Sequence, residues 1–465
     1  MPTPRDILAD LWAQTAGDPS ALEAVTLTGS EPVLPSSFRV AAAAQTSVAA
    51  AGLAAAHIWQ LRSGQSQDVT VDMLHAAIEC RSERYLRVDD KPPPPAWDAI
   101  AGVYKTGDGG YVRLHTNFPH HRDNVCRVLN CKPEREAVQA ALLQWEGVAF
   151  ETAAYNAGAV ASFMRSREQW LALPQAKALE TLPLISIERI GEAPPRPWRG
   201  GDRPLSGLRV LDLSRVIAGP VAGRTLAAHG ADVMLLSSPK LPSIPWLVID
   251  TGRGKLSCFA DLKTDEGRSA MRTLLAQADV VSQGYRPQSL AALGFAPRDA
   301  ALLNPGIVYV SLSAYGHVGP WADRRGFDSL VQTSTGFNHA EAQAAGIEGP
   351  KELPMQILDH VTGYLMAFGA MMARVRQARE GGSWHVRVSL AQTGRWLWQL
   401  GRLDRGLATP DIKPEAVTPF LETSASGFGT LRAVRHSAML SKTPARWSRP
   451  AVPLGHDPAQ WPPRD

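Results

Sequence analysis

The sequence predicts an α/β protein with a doubly wound, mostly parallel sheet, forming a Rossmann-like large domain, and a smaller α+β domain. Apolar strand-like segments alternate with amphipathic helical segments over residues 208–312, which is the pattern of consecutive βαβ units. A long apolar helical segment, residues 362–380, then passes through two glycines into the alternating segment 385–390, as expected for a helix that returns to a sheet. Proline-rich segments at 91–95 and 194–204 divide the chain.

The first ninety residues contain a partial repeat of a later helix–strand unit. Placing residues 69–71 on residues 386–388 also superposes Gly64 on Gly381. We interpret residues 1–90 as a second copy of that unit, although two alanine-rich helices that end in glycine can also match by chance.

Three further regions follow from the composition of the chain. Residues 95–200 are predicted to form a compact α+β domain, because turn residues at 106–110 separate two strand-like segments and the segment 124–181 is largely helical. Residues 205–405 carry the βαβ pattern and form the large domain. Residues 406–465 are a tail.

The charge and cysteine content exclude several classes of protein. Lys and Arg number 48 against 44 Asp and Glu, a net charge of +4, so neither nucleic acid nor a membrane is the expected partner, whereas a small anionic ligand is. Residues 1–19 lack the apolar centre of a secretory signal, and the alanine-rich residues 41–56 are interpreted as a core helix. Four cysteines without CxxC pairing indicate no disulfide scaffold. We therefore expect a cytoplasmic protein.

No metal site is expected. Several potential ligands lie close together in the sequence but lack ligand-type spacing: His115, His120, His121, Cys126 and Cys131.

Asp359 is the most informative acidic residue because it stands at the start of the long apolar helix. Its carboxylate can be a helix cap for Thr362 and Gly363, and the apolar helix behind it would provide a poorly hydrated setting. In the register of the repeat, Asp359 falls on Ala42. Only the second copy therefore has the carboxylate.

Ligands of a doubly wound sheet bind at the carboxyl ends of the strands, which here places them after Leu213 and Ser282. No GxGxxG follows the first strand, so a glycine-fingerprint dinucleotide site is disfavoured. The helix that Pro220 opens can still receive a phosphate at its amino end.

Several segments together resemble the family III CoA-transferases, a group that includes the α-methylacyl-CoA racemases. Residues 206–213, 218–220 and 230–233 are similar to the opening of that family. Their order and spacing with later segments over residues 205–405 make the combination specific: Gly254-Lys255-Leu256-Ser257, Asp261-Leu262, Ala278-Asp279-Val280, Tyr285-Arg286-Pro287, Tyr315-Gly316 and Gly319-Pro320.

The resemblance implies that Asp359 is the catalytic residue of a CoA-transferase. Its carboxylate would attack an acyl-CoA thioester to give a mixed anhydride, the CoA thiolate would return to form an aspartyl-CoA thioester, and a carboxylic acid acceptor would then be loaded. Coenzyme A, as acyl-CoA, is the implied cofactor, and the implied assembly is an interlocked homodimer. The candidate CoA-binding residues, whose cations could alternatively be solvated surface charges, are Lys255, Arg286, Tyr285, Arg253, Lys240, Gly219 and Pro220.

The first half of the chain resembles the family in an unusual order. Residues 36–90 are similar to the family's helix–strand return to the large domain, residues 97–200 to its small domain, and the tail to the end of the small domain. The chain thus resembles the back of one copy joined to the front of another. It departs from the family in lacking a GGGG loop in the small domain and in having Ser237 where an acid usually ends the second strand.

The segment Gly326-Phe327-Asp328 favours a transferase over a racemase. In the racemases a histidine immediately before this aspartate carries a proton, and phenylalanine cannot. A racemase in which His317 or His339 substitutes, and a non-catalytic CoA-binding homologue, are the alternatives.

Overall fold

The computed structural model describes residues 1–464. Its first 200 residues alternate between small sheets and helices. The elements of this half are α1 (Pro4–Ala13), β1 (Val25–Thr28), α2 (Val40–Ser63), β2 (Val69–Asp72), α3 (Met73–Glu79), α4 (Ser82–Tyr85), β3 (Arg87–Val88), β4 (Gly102–Lys105), β5 (Tyr111–Leu114), α5 (Pro119–Leu129), α6 (Arg135–Leu142), α7 (Gly147–Asn156), β6 (Ala161–Phe163), α8 (Arg167–Ala172), α9 (Pro174–Glu180) and β7 (Ser186–Gly191).

The second half contains the regular βαβ series that the sequence predicts. Its elements are β8 (Arg209–Leu213), α10 (Ala218–Ala228), β9 (Asp232–Ser237), α11 (Pro245–Thr251), β10 (Lys255–Phe259), α12 (Asp265–Leu275), β11 (Val280–Gln283), α13 (Pro287–Ala291), α14 (Pro297–Leu303), β12 (Val308–Ser313), α15 (Asp328–Ser334), α16 (Phe337–Ala345), α17 (Ile357–Glu380), β13 (Ser383–Ser389), α18 (Leu390–Gln399), α19 (Pro414–Val417), β14 (Leu421–Ser426), β15 (Gly429–Val434) and β16 (Ala438–Leu440).

A seven-stranded sheet in the order β10-β9-β8-β11-β12-β13-β7 organises the second half. The first six strands are parallel, and β7 pairs with β13 in the antiparallel direction. In chain order the parallel strands run 3-2-1-4-5-6, so the order reverses between β8 and β11. Ligands of such sheets bind in the crevice at this reversal, and the α/β doubly wound prediction is confirmed.

The sheet separates two hydrophobic cores because successive side chains of a strand point to opposite faces. Val210 packs into a core that includes α10 and α17, whereas Leu211 packs into a core that includes α12. Both residues are fully buried. The near-continuous apolar strands are explained by this two-sided burial.

Three smaller sheets surround the large one, and two of them join distant parts of the chain. Strands β4, β5 and β6 form a local antiparallel sheet, whereas β16 from the tail pairs with β2 and β15 from the tail pairs with β3. Residues 186–191, expected in the separate domain of residues 95–200, instead supply β7. This strand covers the exposed hydrogen-bonding groups of β13, which would otherwise be the edge of the large sheet.

Helices α2 and α17, which the sequence indicates to be two copies of one unit, pack against each other. Among the described residues, α2 is the one helix whose length and hydropathy would suit a membrane span. Most of its surface is buried inside the protein, as expected for a core helix. Each helix ends at a glycine with positive φ, Gly64 or Gly381, which is a conformation that glycine adopts without strain.

The amino-terminal turns of α17 also touch α10. A β-carbon added to Gly363 would lie 2.5 Å from the carbonyl oxygen of Ala218 and 2.8 Å from Cβ of Val221. Only glycine allows this approach. The helix that carries Asp359 is therefore fixed against the helix that follows the first strand of the large sheet.

Candidate active site

A cavity of about 500 Å³ lies at the reversal of strand order, at the carboxyl ends of β8 and β11. Residues 215–218, which follow β8, and residues 284–287, which follow β11, form two of its walls. A third wall, Phe118, His120 and His121, comes from the first half of the chain. The site is thus built between the two halves.

Asp359 is the third residue of α17 and lines this cavity with only 7% of its surface exposed. Its peptide N–H donates a hydrogen bond to Oδ2 of Asp328 at 2.9 Å. No described residue donates a hydrogen bond to the Asp359 carboxylate. The helix end is therefore capped by Asp328 at the start of α15, and the side chain of Asp359 is free to face the cavity.

The surroundings of Asp359 disfavour its charge. Burial raises the pKa of Asp359 well above the ordinary value for an aspartate, and the nearby carboxylates of Asp328 and Glu83 raise this pKa further. Burial likewise raises the pKa of Asp328, although the peptide N–H of Asp359 and the side-chain amide of Gln332 both donate to its carboxylate. When Asp359 does ionise, its carboxylate is poorly solvated and correspondingly nucleophilic.

Asp359 is the one acid among the described residues that line the cavity, and five cations face it. They are Arg215, Lys263, Arg286, Arg324 and Arg325. This excess of positive charge favours the binding of an anionic ligand.

Two of these cations are held within the protein rather than extended into solvent. Burial lowers the pKa of Arg215, whose guanidinium lies 4.9 Å from the ring centre of Phe118. Arg324 pairs with the Glu151 carboxylate at 3.5 Å and lies 3.9 Å from the ring centre of Trp321. These contacts position both guanidiniums at the cavity wall before any ligand binds.

The backbone beside Arg215 is strained. Val216 has a φ of +74°, a region that β-branched residues rarely occupy. Gly219 in the first turn of α10 packs directly on this loop, since an added β-carbon would lie 2.2 Å from Cβ of Ser214. Strain of this kind is retained where the surrounding structure requires it, often at functional sites.

Four of the seven residues predicted from the sequence to bind CoA lie at or beside the cavity. Tyr285 and Arg286 line it, and Gly219 and Pro220 follow the cavity-lining Ala218 in the first turn of α10. Lys240 is exposed, and its Nζ lies 2.8 Å from the Asp261 carboxylate. It is outside the residues that line the cavity.

Lys255 and Arg253, two of the candidate CoA-binding residues, do not line the cavity. Both are buried in ion pairs instead. Nζ of Lys255 lies 2.8 Å from Oδ2 of Asp212 and donates to the carbonyl oxygen of Pro220 at 2.9 Å. Arg253 pairs with Asp250 at 3.2 Å. Asp212 within an otherwise apolar strand was the available signal, since a buried acid requires a cation.

Sequence reasoning missed several cavity residues. Arg215 could have been found, because it follows β8 by two positions at the predicted ligand-binding edge. Lys263 and the pair Arg324 and Arg325 had only weaker signals, from their closeness to the family motifs. Nothing local indicated Phe118, His120 and His121, which come from a different region of the chain.

The histidines that line the cavity are not His317 and His339, the two that the sequence analysis considered as proton carriers. His120 and His121 line the cavity, whereas His317 lies outside it and accepts a hydrogen bond from Arg387 at 3.2 Å through its Nε2. Burial lowers the pKa of His121 to about 3, so its imidazole is neutral at physiological pH. Among residues 1–464, no group of three or more His, Cys, Asp or Glu side chains is arranged to hold a metal ion.

Comparison with known proteins gives a consistent result. Residues 205–415 match the model of CoA-transferase family III. The chain is 27% identical to an acyl-CoA transferase from Gibberella moniliformis, over 83% of this chain and 76% of that protein. It is 33% identical to a succinate–glutarate CoA-transferase from Agrobacterium fabrum, over 48% and 62%, and 35% identical to an acetyl-coenzyme A transferase from Hypoxylon pulicicidum, over 42% and 34%. The chain thus spans about a third of the last of these relatives.

The raised pKa of Asp359 leads to a prediction about stability. Because the folded pKa lies above the unfolded value of about 4, the contribution of Asp359 to stability is present below pH 4 and is lost as the pH rises toward the folded pKa. Asp359→Asn cannot ionise. We therefore expect its Tm to exceed that of the parent protein at pH 8 and the difference to shrink toward pH 4, in thermal melts across this range.

The exposed Asp404 provides a matched control. Asp404→Asn should follow the parent Tm at every pH. A difference between Asp359→Asn and the parent protein that does not change with pH would show that Asp359 is not buried as a strained charge.

Proposed function

Because residues 205–415 of this chain match the model of CoA-transferase family III, we propose that the protein transfers coenzyme A from an acyl-CoA donor to a carboxylic acid acceptor, with Asp359 as the nucleophile. One observation carries the proposal. A buried carboxylate, without a hydrogen-bond donor among the described residues, faces a cavity bounded by five cations. This arrangement suits a polyphosphate ligand whose thioester is brought to a nucleophile.

The first half-reaction releases the donor acid. An oxygen of Asp359 attacks the thioester carbonyl carbon, the carbon–sulfur bond breaks, and a mixed anhydride and CoA thiolate form. The thiolate then attacks the aspartyl carbonyl carbon of the anhydride. The donor leaves as a carboxylate, and Asp359 is held as a CoA thioester.

The second half-reaction reverses this order with the acceptor. The acceptor carboxylate attacks the aspartyl thioester and expels the CoA thiolate, which gives a second anhydride. The thiolate attacks the acceptor's carbonyl carbon, so the new acyl-CoA leaves and the Asp359 carboxylate is restored. No net proton is taken up or released.

The residues around Asp359 would assist these steps in two ways. Its apolar, water-poor position keeps the anhydride from hydrolysis and strengthens the electrostatic contacts within the site. The cations Arg215, Arg286 and Arg325 would hold the CoA phosphates, with the backbone amides at the start of α10 as further donors. Binding through these remote groups would place the thioester at the carboxylate.

The substrates are proposed to be an acyl-CoA and a small carboxylic acid in the cytoplasm. The similarity to a succinate–glutarate CoA-transferase makes dicarboxylic acids the first acceptors to test. The homodimer that the family resemblance implies is also a proposal. Within one chain, α2 already packs on α17, so the contact between the two copies does not require a second chain.

A racemase of 2-methylacyl-CoA thioesters is a second candidate, and one observation favours it. His120 and His121 line the same cavity as Asp359. Phe327, which stands where the racemases have a histidine, has its ring centre 6.1 Å from that of His121. A neutral imidazole from the first half of the chain could therefore supply the second proton carrier.

The nucleophile is tested by Asp359→Asn, with Asp404→Asn as the control. We expect Asp359→Asn to lower transfer from succinyl-CoA to glutarate by about 10⁴-fold or more, because an amide cannot form the anhydride. CoA affinity, measured by calorimetry, should stay within a few-fold of the parent, since the cations are unchanged. Asp404→Asn should retain parent activity.

Hydroxylamine supplies the chemical readout for the same pair of variants. Added during turnover, it should convert an acylated carboxylate into a hydroxamate that mass spectrometry locates at residue 359 in the parent protein and in Asp404→Asn. Full activity in Asp359→Asn, or a hydroxamate at another residue, would contradict the mechanism.

Transferase and racemase are distinguished in heavy water. With a 2-methylacyl-CoA and an added acid, we expect transfer of CoA with retention of the α-proton, because the transfer steps leave the α-carbon untouched. The products are followed by mass spectrometry and NMR. Rapid α-deuteration without transfer, abolished by His121→Gln, would establish the racemase instead.

A further inference from the structure

A second cavity, of about 540 Å³, lies at the opposite edge of the large sheet from Asp359. Its lining includes Arg209 at the start of β8 and Asp279 immediately before β11. These positions are at the amino ends of the parallel strands, whereas the candidate active site is at their carboxyl ends. We call this second space the arginine cavity, because five arginines line it: Arg196, Arg199, Arg209, Arg374 and Arg464.

Helix α17 connects the two cavities. It presents Asp359 to the active site in its first turn and Arg374 to the arginine cavity 15 residues later. At 1.5 Å per residue, the two positions are about 22 Å apart along the helix. The arginine cavity is therefore separate from the proposed CoA site.

The positive charge of the arginine cavity is not balanced by the described residues. Asp279 is its one lining acid, and its carboxylate is already shared. Oδ2 accepts from the peptide N–H of Arg209 at 2.9 Å and from Arg464 at 3.2 Å. Oδ1 lies 3.9 Å from Nη1 of Arg196. Five guanidiniums thus surround a single, occupied carboxylate.

Two of the arginines are buried without a carboxylate partner for their side chains among the described residues, although Arg209 donates to Oε1 of Gln277 at 3.0 Å and Arg374 to Oε1 of Gln377 at 2.7 Å. Arg209 and Arg374 are only 6% and 5% exposed, and Nε of each has no hydrogen-bond partner among the described residues. Burial lowers the pKa of Arg374 to about 10, with the charges of Arg196 and Arg199 adding to this effect and Asp279 opposing it. Like charges brought together in this way repel one another and destabilise the folded state unless an anion neutralises them.

Some of these side chains also have structural contacts. Arg374 donates to the carbonyl oxygen of Arg196 at 3.0 Å, and its guanidinium lies 4.4 Å from the ring centre of Trp198. These contacts fix the linker at 196–199 over the cavity. They satisfy carbonyl oxygens, however, and leave the net positive charge unchanged.

We propose that the arginine cavity is a binding site for a small polyanion that carries two or more linked phosphate groups. Guanidinium groups bind phosphate oxygens through paired N–H donors, and the volume lies within the range of small-molecule sites. Such a ligand would offset the repulsion among the arginines. The linked phosphates could belong to an inorganic polyphosphate or to a nucleotide.

Calorimetric titration of the full chain with inorganic tripolyphosphate tests this site. The double variant Arg199→Gln/Arg464→Gln removes two of the five cations, and we expect the Kd to rise at least tenfold, because charge-assisted hydrogen bonds to the phosphates are lost. Arg298→Gln, an exposed arginine outside the cavity, should leave the Kd unchanged. A parallel titration with ADP separates a nucleotide from an inorganic ligand by its relative Kd.

The active-site cations could also attract tripolyphosphate, so a second double variant, Arg286→Gln/Arg325→Gln, is measured alongside. Binding that weakens in Arg199→Gln/Arg464→Gln and persists in Arg286→Gln/Arg325→Gln supports the proposal. Binding that weakens only in Arg286→Gln/Arg325→Gln would overturn the proposal. So would the absence of binding up to about 10 mM tripolyphosphate in a parent protein that shows a normal melting transition.

Discussion

The burial of one carboxylate at the first turn of α17 is the constraint on which the rest of the site depends. Ionised Asp359 is unfavourable in this position because its side chain is largely buried and Asp328 lies close by. The protein accepts that cost through rigid packing: Gly363 allows α17 to touch α10, and Asp328 caps the helix end. These contacts hold the Asp359 carboxylate at the cavity, where its side chain is largely buried.

Helix α2, which the sequence indicates to be a copy of α17, has the same arrangement at its amino end but has Ala42 at the position of Asp359. The peptide N–H of Ala42 donates to Oε1 of Glu31 at 3.0 Å, much as that of Asp359 donates to Asp328. Arg39 pairs with the same Glu31 at 2.6 Å, and Ala42 is fully buried. A carboxylate thus accepts from the third residue of both helices, whereas the acidic side chain at that third position is present only in α17.

The sequence predicted the parts of the fold that have a strong period. The βαβ series and the long helices α2 and α17 follow from apolar spacing, because a buried strand or helix must be apolar on each face that it buries. The strand β7 was missed because its residues, 186–191, alternate weakly and pair with a partner nearly 200 positions away. Pairing over such a distance leaves no local signal.

The difference between local signals and long-range contacts also explains which residues of the candidate site could be predicted from the sequence. Asp359 was predicted because an acid at the start of an apolar helix is conspicuous, Tyr285 and Arg286 were predicted by motif, and all three line the cavity. Lys255 was predicted by motif as well but lies in a buried ion pair with Asp212, because a motif identifies a residue and not its partner. The wall that carries His121 depends on how the two halves pack, which no short segment encodes.

The most direct test of this account is the structure of the protein in complex with CoA. The account predicts that the CoA sulfur lies on the order of 3 to 3.5 Å from the Asp359 carboxylate, the separation of reacting atoms, with the phosphates against Arg286 and Arg325. CoA bound with its sulfur remote from Asp359, or bound outside this cavity, would contradict the central claim.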